Sequence, residues 1–227
     1  MLINYKKRLA NGMGIVIKWL AHAGFLIKTP KKIIYVDPYE GQFSEKADLI
    51  LVTHSHFDHC SPEKIAKIQK KETIVVAPSD CISKIKGNVK AIKVGETAVF
   101  GDVKVKAVEA YNVKRFRSPG NPFHPAGFGV GYLINAEDKV IYHAGDTDFI
   151  PEMRKLGHVD VALVPSGGTY TMDNPEAAEA AVAINPKVVV PMHRWDTKPE
   201  DLKVNVERAN PNIKVIVLHE GEEYELT

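Results

Sequence analysis

Cysteine is nearly missing from this 227-residue chain, which has only Cys60 and Cys81. Two cysteines without metal-type spacing cannot build a disulfide framework, which fits a reducing cytoplasm as the expected location. Long hydrophobic runs are absent as well: nothing approaches the roughly 20 apolar residues a transmembrane helix needs, so no membrane partner is expected. Basic residues precede apolar ones near the N-terminus, but Lys18 and His22 interrupt the stretch short of a signal-peptide core, and it reads as strands. The formal net charge is only +2, which removes bulk attraction to nucleic acid or to anionic lipid. There is no G-x-S-x-G elbow and no G-x-x-x-x-G-K-[ST] loop, so covalent serine catalysis and nucleotide-driven work are disfavoured. Low-complexity tracts, Gly/Ser linkers and internal repeats are also lacking, and residues 1–227 are expected to form one domain.

What is present is an ordinary globular composition, 44% apolar and 26% charged. Short β-branched runs recur at 14–20, 24–29, 32–37, 49–53, 73–77, 89–94, 103–111, 129–135, 139–145, 159–165, 187–192 and 214–219. Some alternate apolar and polar residues, as one-sided strands do. Others, such as "LILV" and "VVVP", are continuously apolar, as strands covered on both faces are. Helices are signalled at "SPEKIAKIQKK", with Ser61 as N-cap and Pro62 behind it, at "NPEAAEAAVAIN", with Asn174 and Pro175 in those roles, and at "TKPEDLKVNVERAN". The mixture predicts an α/β fold in which two mixed β-sheets pack face to face with helices outside.

The densest chemistry follows the run "LILV". In "THSHFDH" three histidines and an aspartate fall within six residues. Residues i and i+2 of an extended chain point to one side, so His54 and His56 can reach a single ion. Asp58 and His59 follow as the chain turns into the helix, facing a second ion. Imidazole and carboxylate donors without thiolates suit borderline divalent metals. Three further candidates end or begin other runs: Asp146 after "VIYHAG", His193 after "VVVPM", and His124 in "GNPFHPAG". His143 competes with His124, but three residues from Asp146 it should face the other way, and His124 is preferred. Cys60 reads as a small buried hydrophobe.

With these pieces in view, the chain resembles the metallo-β-lactamase fold metallohydrolases, and within them the ascorbate-phosphate lactonase-like group. "LAHAGFLI", "VDP", "THSHFDH", "HPAGFGVGYLI", "IYHAGDTD", "VPSGGTYTMD" and "PMH" occur in that group's order. The resemblance implies a four-layer αββα sandwich. It also implies two divalent metal ions, zinc first, with manganese, iron, cobalt and nickel as alternatives. His54, His56 and His124 would bind one ion; Asp58, His59 and His193 would bind the other; Asp146 would bridge them. Asp37 would steady these ligands from behind.

Two such ions would bring a shared water's pKa from 15.7 toward about 7 and polarise the scissile group. The expected reaction is hydrolysis of an ester-type bond in a small molecule: a lactone, carboxylic ester or phosphoester. Asp58, Asp146 and His22 are the catalytic candidates. His22, Gly167, Gly168, Arg115 and Arg117 are candidate substrate contacts; the two glycines would let backbone N–H groups approach an anion. Arg115 and Arg117 lie in the Pro- and Gly-rich segment 111–129. A nuclease or phosphodiesterase acting on nucleic acid, or a metal-binding protein without turnover, are the alternatives, the first disfavoured by balanced charge. A homo-oligomer is allowed for.

Overall fold

The computed structural model describes residues 14–227. Residues 1–13, part of the N-terminal stretch read as strands, lie outside the described residues. In chain order the elements begin with β1 (Ile15–Ala21), β2 (Gly24–Lys28), β3 (Ile33–Val36), β4 (Leu49–Leu51), helix α1 (Pro62–Ile68), β5 (Ile74–Ala77) and β6 (Asn88–Ala91). Next come β7 (Thr97–Phe100), β8 (Val103–Ala110), the short pair β9 (Phe116–Ser118) and β10 (Asn121–Pro122), β11 (Gly129–Ala136), β12 (Lys139–His143) and β13 (Val161–Pro165). Helix α2 (Asn174–Ile184), β14 (Val188–Met192), helix α3 (Pro199–Ala209), β15 (Lys214–Val215) and β16 (Glu223–Leu226) complete the chain.

Two seven-stranded sheets result, ordered β16-β1-β2-β3-β4-β5-β6 and β15-β14-β13-β12-β11-β8-β7. Each is antiparallel on one side and parallel on the other: β3 to β6 run parallel in the first, β12 to β15 in the second. The inner faces meet in one cluster, with Phe25, Ile34 and Leu51 from the first sheet against Val105, Tyr132 and Ile141 from the second. Fully burying side chains of this size contributes about 1.5–3 kcal/mol each. Ile65 and Ile68 of α1 cover the outer face of the first sheet over Leu26, Tyr35 and Ile50. Buried Ala177, Ala180 and Ala181 line one face of α2, which packs against β13 and α3 on the second sheet. This is the metallo-β-lactamase αββα arrangement that the sequence led us to expect.

Continuously apolar β4, β13 and β14 are buried along their whole length, whereas β8 alternates buried and exposed residues over its first half. Strands β7, β9, β10 and β16 were not legible. They are short, largely exposed pieces of two to four residues at a sheet edge or in the small hairpin, too short to show a period. The caps also differ from expectation. The Ser61 side chain makes no capping bond to α1. Asp173, not Asn174, caps α2, accepting the Glu176 backbone N–H at 2.9 Å, while Asn174 begins the helix and donates to the Lys198 carbonyl at 2.8 Å.

The sheets converge where function is expected. Val130 N–H of β11 donates to the Thr53 carbonyl at 2.9 Å, just beyond β4, and the Tyr132 hydroxyl donates to the Val52 carbonyl at 2.7 Å. The C-terminal ends of β3, β4, β12 and β14 therefore open at one rim, the place where layered α/β folds gather polar residues.

Candidate metal centre

Each of those strand ends delivers a residue to the rim: Asp37 follows β3, His54 to His59 follow β4, Asp146 follows β12 and His193 follows β14. His124 arrives from the turn between β10 and β11. Three donor groups form, each with its atoms within 4.8 Å of one another: His54, His56 and His124; His22, Asp58, His59 and His193; and His54, His59 and Asp146. All seven residues expected as ligands are brought together, with His22 as an eighth. Asp146 reaches both sides: its Oδ2 lies 3.3 Å from His124 Nε2 and 3.1 Å from His193 Nε2, and its Oδ1 lies 3.4 Å from His59 Nε2.

Burial sets the charge states. It lowers His54 well below the usual imidazole range and His124 to about 4, so both are neutral at pH 7 and offer lone pairs. Burial acts the same way on His59, but Asp146 and Asp37 outweigh it and raise this residue well above that range. Burial opposes ionisation of Asp146 as well; His193 and His59 reverse that and hold it well below the usual carboxylate range. Asp58, likewise desolvated, is drawn down to about 2, chiefly by its contact with His22 Nε2 at 3.1 Å.

Buried His59 Nε2, His124 Nε2 and Asp146 Oδ1 have no hydrogen-bond partner among the described residues. An unsatisfied buried polar group costs about 1–3 kcal/mol, and three at one point is a cost that a bound cation removes. The donor set, imidazoles and carboxylates, fits a divalent metal ion.

Comparison with known proteins gives the lineage. The β-lactamase superfamily domain matches residues 16–193. A UPF0173 metal-dependent hydrolase of Pyrococcus abyssi is 35% identical over 232 residues, covering 93% of this chain and 100% of the relative. The chain belongs to the UPF0173 metal-dependent hydrolase family. A second member, from Pelotomaculum thermopropionicum, is 33% identical across 92% of this chain and 99% of its own. Among solved structures, a protein of Parabacteroides distasonis described as a metal-dependent hydrolase superposes with a TM-score of 0.83 at 33% identity, covering 92% of this chain and 94% of that one. The metallo hydrolase Igni18 of Ignicoccus hospitalis gives 0.76 at 26% identity over 94% and 98%.

Behind the donors of this UPF0173 chain lies a layer that orients the rings. Asp37 is fully buried; its Oδ2 accepts from His59 Nδ1 at 2.7 Å and from the Thr53 hydroxyl at 2.6 Å, and its Oδ1 accepts Thr53 N–H at 2.8 Å. Thr53 Oγ1 in turn lies 3.0 Å from His54 Nδ1. The Asn112 side-chain Oδ1 accepts both the backbone N–H and Nδ1–H of His124, each at 2.8 Å. These partners place a proton on Nδ1 of all three rings and turn each Nε2 toward the cluster. Thr53 and Asn112 were missed in the sequence, where a lone Thr and a loop Asn carry no signal.

His22, Asp37 and His193 have φ values of 51°, 44° and 46°, left-handed conformations that cost a non-glycine residue of order 1–3 kcal/mol. The His22 carbonyl is held by the His193 N–H at 2.9 Å and by Trp19 Nε1–H at 3.0 Å. The strain locks two donors to each other.

Other expected contacts are placed differently. Arg115 does not extend into the opening. Its guanidinium donates to Asp148 Oδ1 at 2.8 Å, to the Gly168 carbonyl at 3.1 Å and to Glu176. Asp148 also collects the backbone N–H groups of Val113, Lys114 and Arg115 and, at 3.1 Å, the Asn112 side-chain amide. Arg115 thus braces the loop that carries Asn112 and His124. Removing one partner of a buried charge cluster costs about 3–5 kcal/mol, so Arg115→Met is expected to lower the urea midpoint by that much stability with an unchanged m-value; an unaltered midpoint would sink this role. The Gly168 N–H is spent on the Met172 carbonyl at 2.9 Å, which removes it as an anion donor. At Gly167 a Cβ would meet the His193 carbonyl at 2.4 Å and Trp195 Cδ1 at 2.6 Å, so this glycine makes room for the 193–195 segment. Arg117 alone of the two arginines stays at the opening, 3.4 Å from His56 Nε2. His143 is a core residue whose Nε2 lies 2.9 Å from the Ala23 carbonyl, outside the three donor groups, and Cys60 is buried.

Proposed function

We propose that this UPF0173 metal-dependent hydrolase cleaves an ester-type bond of a small molecule, a lactone, carboxylic ester or phosphoester, with two divalent ions at the rim. The observation that carries the reading is the convergence of seven donors, from segments far apart in the sequence, around buried ring nitrogens and a carboxylate oxygen that lack hydrogen-bond partners among the described residues. His54, His56 and His124 would hold one ion, Asp58, His59 and His193 the other, and Asp146 both, with zinc the first choice among metals these donors accept. When bound, the ions supply Lewis acidity toward the scissile group and an acidified water. The chain's own residues do the rest. Asp37, Thr53 and Asn112 keep the Nε2 atoms aimed inward, and His22, whose Nε2 lies 3.1 Å from Asp58 Oδ2 at the edge of the donor cluster, would be the group to pass a proton to the departing oxygen. The order of short motifs supports a position near the ascorbate-phosphate lactonase-like group. Two cysteines without a disulfide support a cytoplasmic location. No helix among the described residues is long and apolar enough to cross a membrane.

The test is a screen of metal-loaded protein against lactones, carboxylic esters and phosphoesters. Turnover that a chelator abolishes and a divalent ion restores is expected, and absence of turnover on every class with every metal would overturn the proposal. The orienting layer has its own readout. Asn112→Ala frees His124 to rotate, and metal affinity is expected to fall about 10–100-fold in competition with a chromophoric chelator; an unchanged affinity would remove Asn112 from the account.

A further inference from the structure

The opening over the donor cluster is bordered by aromatic rings. Phe57 is 74% exposed, Trp195 58% and Tyr170 38%. Isolated exposed hydrophobics need no explanation, but these belong to a continuous chain of ring contacts. Phe57 meets Tyr39 at 5.7 Å, Tyr39 meets His22 at 6.2 Å, and His22 meets Trp195 at 5.3 Å; the chain then runs to Tyr170 at 6.1 Å and on to Phe123 at 4.8 Å. The rings are fixed to the site by the sequence itself: Phe57 lies between His56 and Asp58, Phe123 precedes His124, and Trp195 is two residues past His193. Trp195 adopts a left-handed φ of 47° and is seated against Gly167, where no Cβ would fit.

Most cations nearby are tied to partners within the protein. Arg115 is in its inward cluster and Lys114 pairs with Glu176 at 3.1 Å. Arg194 lies 3.9 Å over the Trp19 ring and donates to the Leu218 carbonyl at 2.9 Å. Arg117 is the one that stays at the opening, 3.4 Å from His56 Nε2 and 5.4 Å over the Phe123 ring. Beside His22 and Trp195 opens a cavity of about 460 Å³ with Glu40 and Glu200 on its wall together with Arg194 and His219. That volume is ordinary for a small-ligand pocket, and Glu40 and Glu200 offset the positive charge of Arg194 on the same wall, leaving no cationic excess for an anionic group.

We infer that the ring border and this cavity form a subsite for an uncharged, flat apolar group, which makes the substrate an aryl ester or an aryl-bearing lactone and not a sugar phosphate. The inference rests on the hydrolase reading and narrows it. In the reaction the water oxygen bonds to the acyl carbon, the bond from that carbon to the ester oxygen (the aryloxy oxygen of an aryl ester, the ring oxygen of a lactone) breaks, and a proton from the water ends on that oxygen. Stacking against the exposed rings holds the aryl group while the ester faces the donor cluster.

Trp195→Ala and Phe57→Ala replace exposed side chains. In metal-loaded protein the ratio of kcat/KM for 2-naphthyl acetate to that for ethyl acetate is expected to fall about tenfold in each, an amount typical of a lost aromatic contact. Val99→Ala, exposed on edge strand β7, should leave the ratio where it is. An unchanged ratio in both rim variants, or stronger inhibition of the wild type by glucose 6-phosphate than by 2-naphthol, overturns the inference. Failure of the wild type to turn over either ester strikes the hydrolase reading instead, and calorimetric titration of 2-naphthol then decides the subsite alone. Saturable binding that weakens about tenfold in Trp195→Ala supports it, and binding that is absent or equal in the variant overturns it.

Discussion

Replacing Asp146 by alanine is expected to lower kcat/KM on any responsive ester by at least about 10³-fold, the equivalent of about 4 kcal/mol of transition-state stabilisation. Asp146 is the carboxylate placed between the two sets of histidines. Its Oδ2 approaches both His124 and His193 and its Oδ1 approaches His59, so one carboxylate joins the two sides of the centre. Asp146 is also buried and carries the negative charge opposite a raised His59, so a loss of activity could come from misfolding. Asp146→Asn, nearly the same shape, separates these causes: near-native circular dichroism with a comparable loss of rate places the effect in the chemistry. Retention of rate within tenfold in both variants would remove Asp146 from its central position.

Metal is expected to stabilise the fold by a large margin. A ligand that binds only the native state at 1,000 times its dissociation constant contributes about 4.1 kcal/mol. For a chain of this size each kcal/mol moves the melting temperature by about 2–4 °C, giving a rise of about 8–16 °C for one tightly bound ion. The structural reason lies in the buried ring nitrogens. Burial keeps His54 and His124 neutral, and His124 Nε2, His59 Nε2 and Asp146 Oδ1 lack hydrogen-bond partners among the described residues. Unfolding without metal returns those atoms to water and relieves a cost; with metal it must break the coordination. Differential scanning fluorimetry of chelated and reloaded protein measures the shift, and coincident curves would count against a metal at this site.

Much of the centre could be read in the sequence because its residues sit where apolar runs stop. His54 to His59, Asp146 and His193 each follow a buried strand, and a run such as "VVVPM" announces its own end. His124 was legible through resemblance and through the irregular loop around it. What could not be read depends on who meets whom across the fold. Asn112 and Thr53 matter only because the loop and β4 place them behind His124 and His54. Arg115 sits in a basic, exposed-looking run yet turns inward to Asp148, which is 36 residues from Asn112 in sequence and its neighbour in space. Asp173 and Asn174 are both good N-cap types, and tertiary contacts decide between them: the Asn174 amide is taken by Lys198. Edge strands β7 and β16 failed to register since their exposed faces carry no periodic apolar signal.

The most direct test is the metal content of the protein, by elemental mass spectrometry after loading and desalting, for the wild type and for His56→Ala and His193→Ala. The account expects about two ions per chain in the wild type and about one in each single variant, since each loses a donor from a different side of Asp146. A wild-type chain that keeps no stoichiometric metal, or variants that hold as much as the wild type, would contradict it.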